Sequence, residues 1–89
     1  MRPLHPIQVK IIYLFWMGNT SVYKIAKNLN EPESKVFYHI KELTKKGFLR
    51  RIEKDGKVIY ELDKRNLKIE KNKDKIFIFW KLPDAELQL

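Results

Sequence analysis

The chain has 89 residues, of which 44% are hydrophobic, and this is enough for one small domain with a modest core. It carries 19 Lys and Arg residues against 11 Asp and Glu, a net charge of +8, which indicates a polyanionic partner such as DNA, RNA or an anionic membrane surface. Cysteine is absent, which excludes disulfides, thiolate nucleophiles and cysteine-ligated metals and fits a cytoplasmic location.

Residues 6–17 are the first predicted element, a helix that starts at Pro6 and ends before Gly18. Its side chains are apolar nearly all round, so the helix needs cover on two sides. One side faces the core of the chain itself. The other side is covered either by a second copy of the chain or by the C-terminal segment, and the sequence does not decide between these two alternatives. The apolar run 11–17 is too short to cross a bilayer, so we expect no membrane span.

A second, shorter helix is predicted over residues 22–28, with Thr20 or Ser21 as its N-cap. Its apolar side chains fall on one inner face, namely Val22, Ile25, Ala26 and Leu29. The link that follows, up to Pro32, is as short as a helix-turn-helix requires.

The third helix begins with Pro32 at its first helical position and stops at Gly47, which supplies a left-handed residue. A narrow apolar stripe recurs at the spacing i, i+4, i+7 and consists of Val36, Ile40 and Leu43. The rest of the surface carries hydroxyls, lysines and aromatic rings: Ser34, Lys35, Phe37, Tyr38 and Lys41. A helix of this kind suits the major groove of DNA.

Residues 48–63 predict a β-hairpin around the two-residue turn Asp55-Gly56, since both central positions of that turn need positive φ. This turn sets the register, in which Leu49 faces Leu62 and Lys54 faces Lys57. The side chains expected to point inward are Leu49, Val58, Tyr60 and Leu62. The two lysines at the tip then lie beside the third helix.

A second hairpin is predicted over residues 67–82, with its turn at 71–74. Its last strand is apolar on both faces, with Ile76, Ile78, Trp80 and Leu82 on one face and Phe77 and Phe79 on the other. Such a strand requires cover on both faces. We therefore expect a homodimer whose interface is built from this segment and the first helix. Residues 1–66 then form the main part of the domain, and residues 67–89 are its C-terminal dimerisation segment.

Short motifs recur in order over residues 5–63: His5-Pro6-Ile7, Gly18, Ser21-Val22, Ile25-Ala26-Lys27, Leu29, Val36, Tyr38-His39-Ile40-Lys41, Leu43, Gly47-Phe48-Leu49, Val58-Ile59-Tyr60 and Leu62. The ordered set resembles the winged helix-turn-helix of the arsenic-repressor-like (ArsR-type) regulators. The implied fold class is α+β, with three helices and a β-hairpin wing, to which this chain adds a C-terminal β-hairpin.

The resemblance implies a DNA-binding dimer whose third helix enters the major groove while the wing touches the DNA backbone. Carried over to this chain, the base-reading candidates are Ser34, Lys35, Phe37, Tyr38 and Lys41. The wing candidates are Arg50, Arg51, Lys54 and Lys57. The chain departs from the family pattern in three ways: it lacks the Cys or clustered His of the metal-sensing members, it has Glu31 at an aliphatic turn position, and its C-terminus is β instead of helical.

Several candidates have a structural interpretation beside the functional one. Phe37 either touches a thymine methyl or packs at the rim of the core, and Tyr38 either contacts DNA or covers a neighbouring side chain. Arg50 is expected to spend charge on Glu61 across the hairpin. His39 is interpreted as a structural histidine, because a metal ligand would need more partners than the sequence offers.

The sequence offers no carboxylate pair with a base, no zinc-binding spacing and no glycine-rich phosphate loop, so we expect neither an enzyme nor a cofactor. The predicted function is that of a homodimeric repressor of transcription that binds double-stranded DNA. The alternatives are a winged-helix interaction subunit of a transcription or replication assembly and, third, an RNA-binding protein.

Overall fold

The computed structural model describes residues 4–80 as an α+β arrangement of three helices followed by two antiparallel hairpins. The helices are α1 (Pro6–Trp16), α2 (Val22–Leu29) and α3 (Glu33–Lys45). Hairpin 1 consists of β1 (Leu49–Lys54) and β2 (Lys57–Leu62), and hairpin 2 of β3 (Leu67–Asn72) and β4 (Lys75–Trp80). A short 3-10 helix, Lys64–Asn66, joins the hairpins. The elements follow the predicted order.

The helix ends are set by capping side chains and left-handed residues. Ser21 is the N-cap of α2 and accepts a hydrogen bond from the backbone of Lys24. The expected position of Pro32 was wrong by one residue, because its ψ of 145° is extended and Glu33 is the first helical residue. Gly47, with φ of 91°, provides the predicted left-handed stop after α3.

One hydrophobic core joins all three helices to both hairpins. The predicted stripe of α3 is fully buried, since Val36, Ile40 and Leu43 are 0% exposed. The other buried apolar residues come from every remaining helix and from both hairpins or their approaches: Ile11, Ile12, Phe15, Ile25, Ala26, Phe48, Leu49, Leu62 and Ile69. Burying one narrow stripe of α3 leaves the rest of that helix surface to solvent.

Hairpin 1 has the predicted register, from Leu49 opposite Leu62 to Lys54 opposite Lys57. Burial falls along β2 toward the tip, because Leu62 is buried, Tyr60 is half-buried and Val58 is exposed. The prediction that Val58 points into the core was therefore wrong. Val58 lies two residues from the turn, at the exposed end of the hairpin.

Hairpin 2 covers the second side of α1 within the same chain. Its inner face, with Ile69, Ile78 and Trp80, packs against the core, and the ring of Trp80 meets Phe48 edge-on at 5.1 Å. The ammonium of Lys71 lies 5.6 Å from the centre of the Tyr13 ring of α1. Leu82, the last residue assigned to this face, lies outside the described residues. No helix within residues 4–80 has the length and apolar character needed to span a membrane.

Asp63 holds the junction between the two hairpins. Its buried carboxylate accepts hydrogen bonds from the backbone N–H of Arg65 and from the Arg65 guanidinium, at 2.9 to 3.2 Å. These bonds from Arg65 lower the pKa of the Asp63 carboxyl. The junction is therefore an aspartate N-cap strengthened by a charged donor.

We expect Asp63→Asn to lower the melting temperature by a few degrees at pH 7, because the amide keeps an acceptor but loses the charge. Since the folded-state pKa of Asp63 is lowered, its contribution is present above the unfolded pKa and disappears as the pH falls through the folded value. Thermal denaturation from pH 7 to pH 2 should therefore bring the two proteins together at low pH. Asp74→Asn, at an exposed position in the turn of hairpin 2, is the control.

Candidate nucleic-acid interface

The outward surface of α3 is open to solvent along its length. All five side chains predicted to face DNA are exposed, namely Ser34, Lys35, Phe37, Tyr38 and Lys41. Tyr38 is the most exposed of the aromatic residues here, at 60%. Within residues 4–80, no other element covers this face.

The two lysines of this face have different surroundings. Lys35 forms an ion pair with Glu31, one turn earlier, at 3.1 Å. The ammonium of Lys41 lies 5.4 Å from the centre of the Phe37 ring. Because an exposed ion pair contributes little free energy, Lys35 can exchange its carboxylate for a phosphate at small cost.

Hairpin 1 lies beside α3 and forms an open groove with it. The edge of one ring in the Phe37–Tyr60 pair faces the other ring, with centres 6.1 Å apart, and this contact joins helix to hairpin. The groove has a volume of about 570 Å³. It is lined by Thr20, Ser21, Val22, Phe37, Lys41, Arg51, Val58, Ile59 and Tyr60. Phe37 thus lies at the rim of the core and also in the groove.

The four cations predicted for the wing fall into two pairs. Arg50 forms the expected ion pair with Glu61 across the hairpin. Arg51 lies opposite Tyr60 in the register and bonds Glu53 on its own strand at 2.8 Å, and this bond raises the pKa of Arg51. Lys54 and Lys57 face each other across the exposed tip of the hairpin. Neither tip lysine has an ion pair within residues 4–80.

Sequence reasoning missed the part of α2 that borders the groove. Thr20 and Ser21, at the start of α2, line the groove together with side chains of α3 and hairpin 1. Further along α2, Lys24 is exposed, and Lys27 lies 5.9 Å from the ring centre of the exposed Tyr23. The signal was present in the sequence as polar and cationic residues off the inner face of the second helix.

A buried polar cluster between α1 and α3 was also missed. Gln8 is only 4% exposed, its Oε1 accepts from the Lys46 ammonium at 3.4 Å, and its amide nitrogen lies 3.2 Å from Nδ1 of His39. With Oε1 taken by Lys46, the amide N–H donates to His39, which must then be neutral with its proton on Nε2. The cluster ties α3 to α1 and confirms the interpretation of His39 as structural.

The surroundings of His39 oppose its protonation. Burial is the largest cause, followed by the neighbouring His5, whose ring centre is 5.1 Å away, and by Lys35 and Lys46; Glu31 acts in the other direction. Together they lower the pKa of His39 below 6.5. A protonated ring would also present an N–H to the N–H of Gln8, so the hydrogen bond between α1 and α3 would be lost.

Comparison with models of protein families, with curated proteins and with solved structures finds no match. Among residues 4–80 there is no group of three or more His, Asp or Glu side chains that could hold a metal ion. A proposal for the function therefore depends on the geometry of α3, α2 and hairpin 1.

We expect the protein to lose stability as the pH falls from 7 toward 5. Because the pKa of His39 is lowered in the folded state, the unfolded chain takes up the proton first, and stability declines from about 6.5 down to the folded value. His39→Gln, which does not titrate, should flatten this part of the curve in thermal denaturation across that range. His5→Asn, which keeps an acceptor at the α1 N-cap, is the control and should retain most of the decline.

Proposed function

We propose that this chain is a winged helix-turn-helix that binds double-stranded DNA as a homodimer and represses transcription by occluding a promoter. In this proposal α2 and α3 are the helix-turn-helix, α3 is the recognition helix and hairpin 1 is the wing. The observation that carries it is the open face of α3, which presents Lys35, Tyr38 and Lys41 beside an equally open groove.

The lining of the groove supports contact with a DNA backbone. Apolar side chains such as Phe37 and Val58 suit the deoxyribose, while Lys41 and Arg51 supply positive charge for phosphates. The hydroxyls of Thr20 and Ser21 add polar groups at the same place. A surface of cations interleaved with apolar groups fits the alternation of phosphate and sugar along one strand.

Counterion release supplies most of the affinity in this mechanism, because the net charge of the chain is +8. Lys41 and the two tip lysines, Lys54 and Lys57, contribute without first breaking an ion pair within residues 4–80. Lys35 and the two arginines contribute after exchanging a carboxylate partner. Base reading falls to the five α3 candidates that the resemblance implies, namely Ser34, Lys35, Phe37, Tyr38 and Lys41.

A second candidate function is that of an interaction subunit in a transcription or replication assembly. The observation in its favour is the exposure of large apolar residues along the groove: Phe37 at 41%, Val58 at 44% and Ile59 at 42%. A protein partner would bury them. Failure to bind duplex DNA of any sequence at low salt would favour this candidate.

We expect Lys35→Ala and Lys41→Ala each to weaken binding to duplex DNA several-fold. Each substitution should also lower the magnitude of the slope of log K against log salt concentration by about 0.9, the value for one lost phosphate contact. Fluorescence anisotropy between 50 and 300 mM salt measures both quantities. Lys10→Ala, at an exposed lysine of α1, is the control and should leave the slope unchanged. Unchanged slopes for both α3 variants would contradict this mechanism.

Selection of bound sequences from random duplex DNA should yield an inverted repeat. A two-fold dimer presents two copies of α3 to successive major grooves, so the half-site centres should be about 34 Å, or 10 to 10.5 base pairs, apart. Recovery of a single unrepeated site would contradict the symmetric dimer, and recovery of no preferred sequence would contradict sequence-specific binding.

A further inference from the structure

The outer face of hairpin 2 presents two exposed phenylalanines among polar side chains, and it lies on the side of the sheet away from the core. Phe77 and Phe79 lie two residues apart on β4, about 7 Å along the strand, and are 42% and 51% exposed. Their cross-strand neighbours on β3 are Glu70, opposite Phe77, and Lys68, opposite Phe79. We call these four residues the hairpin 2 patch.

Within the hairpin 2 patch the charges of Lys68 and Glu70 cancel, and Lys75, two residues from Phe77 on the same face, adds one positive charge at the edge of the patch. Lys68 and Glu70 are bonded at 3.1 Å, and both remain largely exposed. Glu70 lies beside the phenylalanines, where it would repel the phosphates of a nucleic acid. The patch therefore differs from the cationic groove of α3 and hairpin 1, and it favours a partner that carries both charges and an apolar centre.

We propose that the partner on the hairpin 2 patch is a second copy of the same patch, packed face to face about a two-fold axis perpendicular to the strands. This operation places β3 over β3 and β4 over β4 with the strand directions reversed. Lys68 of each copy then meets Glu70 of the other, and Phe79 of each copy meets Phe77 of the other. The alternative axis, parallel to the strands, would put β3 over β4 and a charged residue over a phenylalanine.

The patch is thus self-complementary in both charge and apolarity. Two sheets in this arrangement pack about 10 Å apart, which phenylalanine side chains from both faces fill. The inference rests on the proposed function only for the role of the dimer, which is to pair two copies of α3.

Charge reversal tests the arrangement by mixing two variants. Lys68→Glu places Glu against Glu twice across the axis, and Glu70→Lys places Lys against Lys twice, so each variant alone should self-associate at least about tenfold more weakly than the wild type. Mixed one to one, the two variants should form a heterodimer, because both contacts across the axis are again between opposite charges. Neither chain regains its internal pair, so recovery on mixing reports only the contact between copies. Sedimentation equilibrium measures all three dissociation constants.

Apolar substitutions give an independent measurement. Phe77→Thr and Phe79→Thr place a β-branched residue, which favours strands, at exposed strand positions, so the monomer should stay folded by circular dichroism. Each should weaken self-association about tenfold or more, as expected for the centre of an interface. Tyr23→Ser, an equally exposed aromatic of α2, is the control.

Two outcomes would overturn the hairpin 2 dimer. In the first, the wild type remains monomeric at 100-fold above the concentrations used for DNA binding. In the second, the mixed variants fail to associate while the wild type dimerises, which would place the interface elsewhere, such as at Trp16 and Met17 at the end of α1. Half-site duplex binding, measured with the same variants, separates this result from the DNA-binding proposal. A dimer that recovers on mixing but does not bind DNA supports the hairpin 2 contact alone.

Discussion

The burial of one aliphatic stripe on α3 is the constraint from which the rest of the structure follows. Val36, Ile40 and Leu43 are fully enclosed, so rotation of α3 about its axis would expose them and bury lysines in their place. Because side chains leave a helix radially, fixing this stripe also fixes which residues point away from the core. The Gln8–His39 hydrogen bond adds a directional contact to a packing interface that is otherwise non-directional. The orientation of the candidate interface is thus a consequence of core packing.

Local ion pairs decide how the excess of positive charge is distributed over that interface. Three carboxylates lie beside candidate cations and pair with them: Glu31 with Lys35, Glu61 with Arg50 and Glu53 with Arg51. Exposed ion pairs contribute little to stability, so their main effect is to lower the positive electrostatic potential around the paired cations. Lys41 and the two tip lysines keep undiluted charge within residues 4–80. The strongest positive potential is therefore expected at Lys41 in the groove and at the tip of hairpin 1.

The order of elements and the register of hairpin 1 could be predicted from sequence because local signals determine them. The Asp55-Gly56 turn needs positive φ at both positions, and both have it, which fixes every cross-strand pair. The exposure of Val58 could not be predicted this way. Alternation shows which face of the hairpin a side chain is on, but not how far toward the tip that face is covered by the helices. Gln8 and the start of α2 were missed for a related reason. Periodicity shows which residues lie off the inner face of a helix, but the residues that surround them in the fold are distant in the chain and cannot be read from it.

Of the two candidate covers for α1, the C-terminal segment is the one that packs on it within the chain, and the alternation of β4 leaves the other face of hairpin 2 for a second copy. The face with Ile78 and Trp80 packs on the core beside α1, and this satisfies one apolar surface within the chain. The same strand then necessarily turns Phe77 and Phe79 outward, since neighbouring strand residues point to opposite faces. When hairpin 2 covers α1, the apolar side chains on the outer face of hairpin 2 therefore remain exposed. That surface does not include the residues proposed to contact DNA, so a partner can bind it without competing for α3.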